Sequence, residues 1–268
     1  TRCLEPGVNI GFGPAVNLAS THAANDLILI INPDVRLLPG CVKALVWAAE
    51  RHEAPLVGPR LYWDDEKNFR LPPAPGDCSW QDFAAQRAEQ SWLDAEVFSI
   101  NWISRHDKFW SAQEPFCEPF LSGACLLVNR NWYGRTASAL FDERFFLYFE
   151  DTDLCVQTMH QHVYPLCTPH AEAVHYWNQS PHADKANMFL SSRLKFWEKY
   201  YPGYEDHEFG RRETLAQLRT VSDLGLQSCS PWFSFQIDHD PGELFFEFGC
   251  NPFLVPFAQT MIQEGHYR

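Results

Sequence analysis

The sequence predicts an α/β fold with a doubly wound sheet, and three observations lead to this prediction. Residues 27–31 are five consecutive aliphatic side chains, typical of a strand that is buried on both faces, as in a parallel sheet. Pro39 and Gly40 then precede a stretch whose apolar residues recur at helical spacing, and residues 55–62 have the pattern of another strand. A strand, a helix and a strand in this order favour a right-handed crossover with helices on both sheet faces.

The rest of the chain divides into an irregular middle, a second ordered stretch and a different C-terminal part. Between residues 63 and 118 prolines and tryptophans are scattered, so we expect binding loops and one helix near 80–97. Later strands are predicted near 124–128, 163–168 and 172–176, and helices near 131–138, 152–162 and 184–200. We also predict a charged helix at 205–220 and a β-hairpin at 231–250 around Asp240-Pro241-Gly242. The predicted units are a domain at 1–204 and the start of a small β-rich C-terminal module at 205–268.

The composition argues against several classes of protein. The formal net charge of −13 argues against a nucleic-acid-binding or anionic-membrane surface, because such surfaces need clustered lysine and arginine. A phosphate-bearing substrate would therefore need a divalent cation to hold it. The nine cysteines are spread singly without a CxxC pair, which predicts reduced thiols in a cytoplasmic protein. Since no apolar run approaches the ~20 residues of a membrane span, we expect no integral membrane segment.

The first candidate site is Asn32-Pro33-Asp34, which directly follows the predicted strand at 27–31. Ligands of open α/β sheets bind outside the carboxyl ends of strands, and a carboxylate there can hold a hard cation. The simple alternative is an Asx-type turn that ends the strand, and the motif by itself favours this alternative.

The second candidate is a group of three acids, Glu150, Asp151 and Asp153, which follows an apolar run. Carboxylates near a core cost free energy unless they are paired with other groups or serve a function. Apolar residues next to a carboxyl group raise its pKa towards the range of a general base. The alternative is that Asp151 caps the following helix, although capping needs only one acid. His175 ends a predicted strand, and a lone histidine in that position is more often structural than a metal ligand.

The segment that begins Asn9-Ile10-Gly11-Phe12-Gly13 and ends at Asn17 is rich in glycine and could let the backbone approach a nucleotide. It is not a GxGxxG fingerprint, so as a phosphate-loop signal it is weak.

Taken in order, these motifs resemble the family 2 glycosyltransferases, especially their rhamnosyltransferase-like branch. The resemblance covers residues 8–202 and is most specific over Phe141–Cys155. It also rests on the segment from Asn9 to Asn17, on Leu29–Val35, on Leu121–Leu127, on His175 with Ser180, and on Lys199 before Pro202.

The resemblance implies a GT-A fold with a doubly wound mixed sheet. It also implies an inverting transferase, one that inverts the anomeric carbon of the sugar it moves. The expected donor is a dTDP- or UDP-linked sugar, with rhamnose or another hexose transferred to a glycan or lipid-linked acceptor. Mg²⁺ or Mn²⁺ would bind Asp34 and His175. Asp151 would be the general base, beside Glu150. The implied donor-binding residues are Asn9, Gly11, Phe12, Asn17, Asn32 and Asp34, and the implied acceptor or sugar residues are Ser122, Gly123, Ala124 and Asp153.

Three departures from the family pattern accompany these expectations. The family's first βα unit precedes the Asn9 segment, and we expect this chain to lack it. Second, Pro14-Ala15-Val16 replaces a more glycine-rich stretch, and Leu140 stands where glycine is common. Third, Gln157 stands where arginine is common. The alternatives to a transferase are a non-catalytic carbohydrate-binding or scaffold protein of the same fold, and a metal-dependent hydrolase or nucleotidyltransferase that uses the same acids. The expected location is cytoplasmic, or peripheral at the inner face of the membrane.

Overall fold

The computed structural model describes residues 3–76, 84, 87–88, 91–133, 139–176, 184–202, 244–248 and 258–262. Helices within these ranges are α1 (Phe12–Thr21), α2 (Cys41–Arg51), α3 (Trp92–Ser111), α4 (Arg130–Tyr133), α5 (Glu150–His160) and α6 (Lys185–Tyr200). Strands are β1 (Leu27–Ile31), β2 (Val35–Leu37), β3 (Leu56–Tyr62), β4 (Phe116–Cys117), β5 (Cys125–Asn129), β6 (Leu166–His175), β7 (Leu244–Phe248) and β8 (Ala258–Ile262).

The main sheet is mixed and has the strand order β1-β5-β3-β6-β2, with β4 paired to β6. Strand β3 runs parallel to β6, whereas β5 is antiparallel to both β1 and β3. Strands β2 and β4 are also antiparallel to β6. Strand β1 and strand β2, separated by three residues, therefore lie at opposite edges of this order, and the turn between them crosses the end of the sheet.

Alternate residues of the strands enter two different cores. Leu126 and Val128 of β5 pack with side chains of α1, α3 and α5, whereas Cys125 and Leu127 pack with α2. Helices therefore cover both faces of the sheet, as the sequence predicted. A third, aromatic cluster joins α6 to the segment before α5. Helix α5 is thus fixed on one side by the sheet and on the other by α6.

Two strand predictions need correction. Strand β1 has the predicted bounds, but it is an edge strand with an antiparallel neighbour, and Ile31 at its end is 41% exposed. Its side chains are apolar throughout because Leu27 and Leu29 pack towards α2 while Ile28 and Ile30 pack on the other face. The two strands predicted near 163–168 and 172–176 are one strand, β6. It has a bulge between Thr168 and Glu172, which pair with Pro59 and Arg60 of β3.

The helix predictions differ mainly in the middle of the chain. Helices α2 and α6 were predicted. The helix expected near 80–97 falls partly outside the described residues; residues 84, 87 and 88 are helical, and α3 begins at Trp92 and extends to Ser111, beyond the predicted end. Its start has a sequence signal, because the side chain of Ser91 accepts a hydrogen bond from the Asp94 amide. Helix α5 begins at Glu150, two residues before the predicted start.

Only a two-stranded antiparallel sheet, β7 with β8, is described in the C-terminal part. The predicted turn at Asp240-Pro241-Gly242 and the helix expected at 205–220 lie outside the described residues, so the domain division stays a prediction. The six described cysteines are free thiols, four of them buried. Within the described ranges no helix combines the length and apolar character that crossing a membrane requires.

Candidate active site

The turn Asn32-Pro33-Asp34 joins β1 to β2 and is tied to two other loops by backbone hydrogen bonds. The Asn32 amide donates to the Ala124 carbonyl over 2.9 Å, and the Asp34 carbonyl accepts from the Tyr176 amide over 3.0 Å. The turn therefore lies where the start of β5 and the end of β6 come together. Its position at strand ends agrees with the sequence prediction.

Asp34 and His175 face each other across the β2–β6 pair. Asp34 Oδ1 lies 3.5 Å from His175 Nε2, and both side chains are largely buried. Burial lowers the pKa of His175, although the charge of Asp34 opposes this effect. The neutral imidazole that results is the form that binds metals.

The chemistry of this pair fits a cation that also binds a substrate. The oxygen and nitrogen donors suit Mn²⁺, and Mg²⁺ is commonly held by one or two carboxylates plus substrate phosphates. The Asn32 side-chain oxygen beside them is buried and has no hydrogen-bond partner in the described part of the chain. No group of three His, Cys, Asp or Glu side chains assembles among the described residues, so ligands beyond this pair and Asn32 would come from substrate and water.

The tight turn at residues 122–124 connects the Asn32-Pro33-Asp34 turn to Asp151, the predicted general base. Ser122 Oγ accepts a hydrogen bond from the Ala124 amide, and the Gly123 amide donates to Asp151 Oδ2 over 2.8 Å. A Cβ on Gly123 would lie only 3.2 Å from the Asp151 Cβ. A side chain at this position would therefore press on Asp151, which would have to shift by a few tenths of an ångström.

Asp151 does not cap α5, since the helix begins at Glu150 and Phe149 occupies the N-cap position. The capping alternative is therefore wrong. The second carboxylate oxygen of Asp151 accepts from the Thr152 amide over 2.7 Å. Burial raises the pKa of Asp151, although the hydrogen bonds from Gly123 and Thr152 work in the opposite direction.

Glu150 is only 6% exposed, and burial together with the charge of Asp151 raises its pKa to about 8. Its Oε2 atom has no hydrogen-bond partner among the described residues. The amide hydrogen bonds favour the ionised form of Asp151, whereas burial favours the neutral form of both acids. The two carboxyl groups are thus adjacent and unequally hydrogen-bonded.

Asp153, expected at the acceptor site, points away from Asp151. It is completely buried, and its oxygens accept hydrogen bonds from Lys199, Tyr200 and Gln157. Residues two apart on a helix differ by about 200° in direction, so Asp151 and Asp153 cannot face the same cleft. A carboxylate engaged in this way is unavailable to a substrate, and we reassign Asp153 to structural support.

The glycine-rich segment contacts the block at 141–151. Gly11 has a φ of 91°, and the Phe12 amide donates to the Phe146 carbonyl over 2.7 Å. A Cβ on Gly11 would lie 2.5 Å from that carbonyl oxygen, so this glycine is explained by close packing. Asn9 remains exposed and accepts from the Gly11 amide.

Asn17 is buried and supports the same block. Its oxygen accepts from the Leu140 and Phe141 amides over 2.9 Å each, and its amide group donates to the Phe141 carbonyl over 2.8 Å. Because both ends of the side chain are used, we expect Asn17 to position the block and not to touch a donor.

The sequence interpretation missed how this block is supported. Lys199 bonds to both Asp142 and Asp153, and Tyr148 and Phe149 have positive φ angles of 69° and 71°. The three charges were visible in the sequence, but their pairing joins residues 46 and 57 positions apart. Local patterns carry no signal for such pairs.

Comparison with known proteins gives one curated relative, found in two strains. The chain is 28% identical over 228 aligned residues to the N-acetylglucosaminyl-diphospho-decaprenol L-rhamnosyltransferase of Mycobacterium tuberculosis (strains CDC 1551 / Oshkosh and ATCC 25618 / H37Rv). The alignment covers 73% of this chain and 68% of the relative. No family model matches the chain.

A solved structure, GalNAc-T7 with UDP, GalNAc and Mn2+, is similar at 12% sequence identity and a TM-score of 0.46. The similarity covers 73% of this chain and 36% of that chain, so the chain spans about a third of GalNAc-T7. This likeness is too distant to carry a functional inference. The chain is therefore distantly similar, over most of its length, to a curated rhamnosyltransferase.

Proposed function

We propose that the chain is an inverting, metal-dependent transferase of the GT-A type, which moves rhamnose or another hexose from a dTDP- or UDP-linked donor. The proposed acceptor is of the class named for the Mycobacterium tuberculosis relative, an N-acetylglucosaminyl-diphospho-lipid, or another glycan. The observation that carries the proposal is that two hydrogen bonds, Asn32 to Ala124 and Gly123 to Asp151, join the turn at 32–34, the turn at 122–124 and the first turn of α5.

In this proposal Asp151 takes the proton of the acceptor hydroxyl. The hydroxyl oxygen then forms a bond to the anomeric carbon, and the bond from that carbon to the diphosphate breaks on the opposite face. Both Asp151 oxygens are oriented by backbone amides, and each retains a lone pair for this proton.

Glu150 would remain protonated and donate a hydrogen bond to a sugar hydroxyl or to the carboxylate of Asp151. The acid keeps the local charge low, so that Asp151 can be ionised without a second negative charge beside it.

Asp34 and His175 would hold the divalent cation on the opposite side of the junction. A bound cation supplies charge neutralisation for the departing diphosphate. With a net charge of −13, the chain would otherwise repel a nucleotide diphosphate.

The test is calorimetric titration of dTDP and of UDP into the protein, with Mn²⁺ and with EDTA. We expect Mn²⁺-dependent binding of one nucleotide, which Asp34→Ala weakens and Asp151→Asn leaves nearly unchanged. Absence of binding under every condition would reject the proposal in favour of a non-catalytic relative. Equal loss of affinity in both variants would contradict the two assigned roles.

A second measurement separates a transferase from a hydrolase. Nucleotide release from dTDP-rhamnose without an acceptor should be slow, since water lacks the binding contacts of a sugar acceptor. Release that is as fast without acceptor as with it would favour the hydrolase alternative.

A further inference from the structure

The two residues that precede the acid pair have an unfavourable backbone. Tyr148 and Phe149 both have left-handed conformations, with φ values of 69° and 71°. Side chains with a Cβ rarely adopt this region, and two in succession persist only where the surroundings fix them. The position of Glu150 and Asp151 therefore depends on contacts outside their own helix.

Helix α6 supplies those contacts along one side of the segment. Ser192 Oγ donates to the Leu147 carbonyl over 2.7 Å, and Lys195 Nζ donates to the Arg144 carbonyl over 3.0 Å. The ring of Phe149 packs against Phe196, with centroids 5.3 Å apart. These bonds hold the backbone of the loop, but none of them reaches the helix that carries Asp151.

Lys199 makes that connection. Its ammonium donates to Asp142 Oδ2 over 2.9 Å and to Asp153 Oδ1 over 2.6 Å. Tyr200 donates to the same Asp153 oxygen over 2.7 Å. Asp142 lies at the start of the loop and Asp153 in the first turn of α5, so one side chain ties both ends of the strained segment together.

The lysine also balances buried charge. Its side chain is 20% exposed and that of Asp153 is 0% exposed. A carboxylate without water needs a compensating cation or several hydrogen bonds, and removing the cation disturbs the whole group. The first turn of α5 would then shift or rotate to let Asp153 reach water.

We propose that Lys199 is the positioning residue of the site, which fixes the first turn of α5 so that Asp151 keeps its bond to Gly123. The proposal rests on the proposed function for its catalytic consequence. Loss of Lys199 should misplace the base without touching the turn that carries Asp34. A misplacement of the order of 1 Å can lower a rate by about 100-fold.

The experiment compares Lys199→Met with Lys199→Arg, which keeps the charge, and with Lys43→Met, an exposed lysine on α2. Hydrogen–deuterium exchange is measured on peptides covering 120–125 and 150–156. We expect faster exchange in both peptides for Lys199→Met, partial recovery for Lys199→Arg, and no change for Lys43→Met. Unchanged exchange in a folded Lys199→Met protein would overturn the proposal.

Transfer from dTDP-rhamnose to a synthetic N-acetylglucosaminyl-diphospho-lipid measures the consequence. Lys199→Met should lower kcat by roughly 10- to 100-fold and leave the donor KM within about twofold. An unchanged kcat, or a loss that appears only in the donor KM, would contradict the positioning role.

Two controls keep the outcomes distinct. If the wild-type protein shows no transfer, the proposed function fails, and the exchange data alone still decide whether Lys199 holds the Asp151 turn. If Lys199→Met does not fold, Lys199→Gln replaces it, because it removes the charge and keeps a side chain that can donate a hydrogen bond to Asp153. The same peptides should then exchange faster, to a smaller extent, and unchanged exchange would again overturn the proposal.

Discussion

Replacing Glu150 by glutamine should make the protein more stable than the wild type at alkaline pH and no more stable at acidic pH. The reason is the burial of Glu150 beside Asp151, which raises its pKa from the usual 4.5 to about 8. Below pH 4.5 the carboxyl is neutral in the folded and unfolded chain, so its ionisation costs nothing. Between pH 4.5 and 8 the unfolded chain ionises first, and the folded state loses relative stability as the pH rises.

The size of this effect follows from the two pKa values. Each unit of difference corresponds to about 1.4 kcal/mol. The wild-type free energy of unfolding should therefore fall by roughly 3 kcal/mol between pH 4.5 and 7, and by roughly 5 kcal/mol above pH 8, through this one group. Glutamine has a similar shape and does not ionise, so Glu150→Gln should not show this fall.

Urea unfolding followed by tryptophan fluorescence at pH 5, 7 and 8.5 measures the difference. Glu198→Gln, at an exposed position on α6, is the matched control and should keep the wild-type pH dependence. Parallel stability curves for the wild type and Glu150→Gln would refute the reasoning, because they would mean that Glu150 ionises as it does in water.

Three further substitutions test the other parts of the site. Asn17→Ala should lower the free energy of unfolding by about 2–4 kcal/mol, since it leaves buried backbone groups unbonded; an unchanged urea midpoint would contradict this. Gly123→Ala should lower kcat by about tenfold or more while Tm changes by only about 3 °C, because the new methyl group presses on Asp151. A large fall in Tm would instead indicate general misfolding. Asp34→Asn should weaken Mn²⁺-dependent dTDP binding by at least about tenfold in calorimetry, and Asp107→Asn, exposed on α3, should not. Equal weakening in both would reject Asp34 as a ligand.

Local sequence patterns were sufficient for several elements. The apolar run at 27–31, the helical spacing after Gly40 and the amphipathic stretch at 184–200 gave elements with nearly the observed bounds. Their arrangement was not predictable in this way. The pairing of β1 with β5 joins residues about a hundred positions apart, and an aliphatic run is compatible with either an edge or a central strand when helices cover both faces.

The roles of the site residues stay predictions, and how these residues are connected could not be predicted from the sequence. The turn that carries Asp34 is joined to Asp151 through the turn at 122–124, by hydrogen bonds that no local pattern reveals. Asp153 was assigned to the same cleft because it lies in the same run of acids. The rotation of the helix turns it towards Lys199, so nearness in sequence was misleading there.

The most direct test of the central claim is single-turnover transfer by the wild type and by Asp151→Asn, from dTDP-rhamnose to a synthetic N-acetylglucosaminyl-diphospho-lipid. The substitution keeps the shape of the side chain and removes its ability to take a proton. We predict that the wild type forms product with an inverted anomeric carbon, and that Asp151→Asn forms none while it binds dTDP with nearly wild-type affinity. Transfer by Asp151→Asn at a rate near that of the wild type would contradict the assignment of Asp151 as the general base.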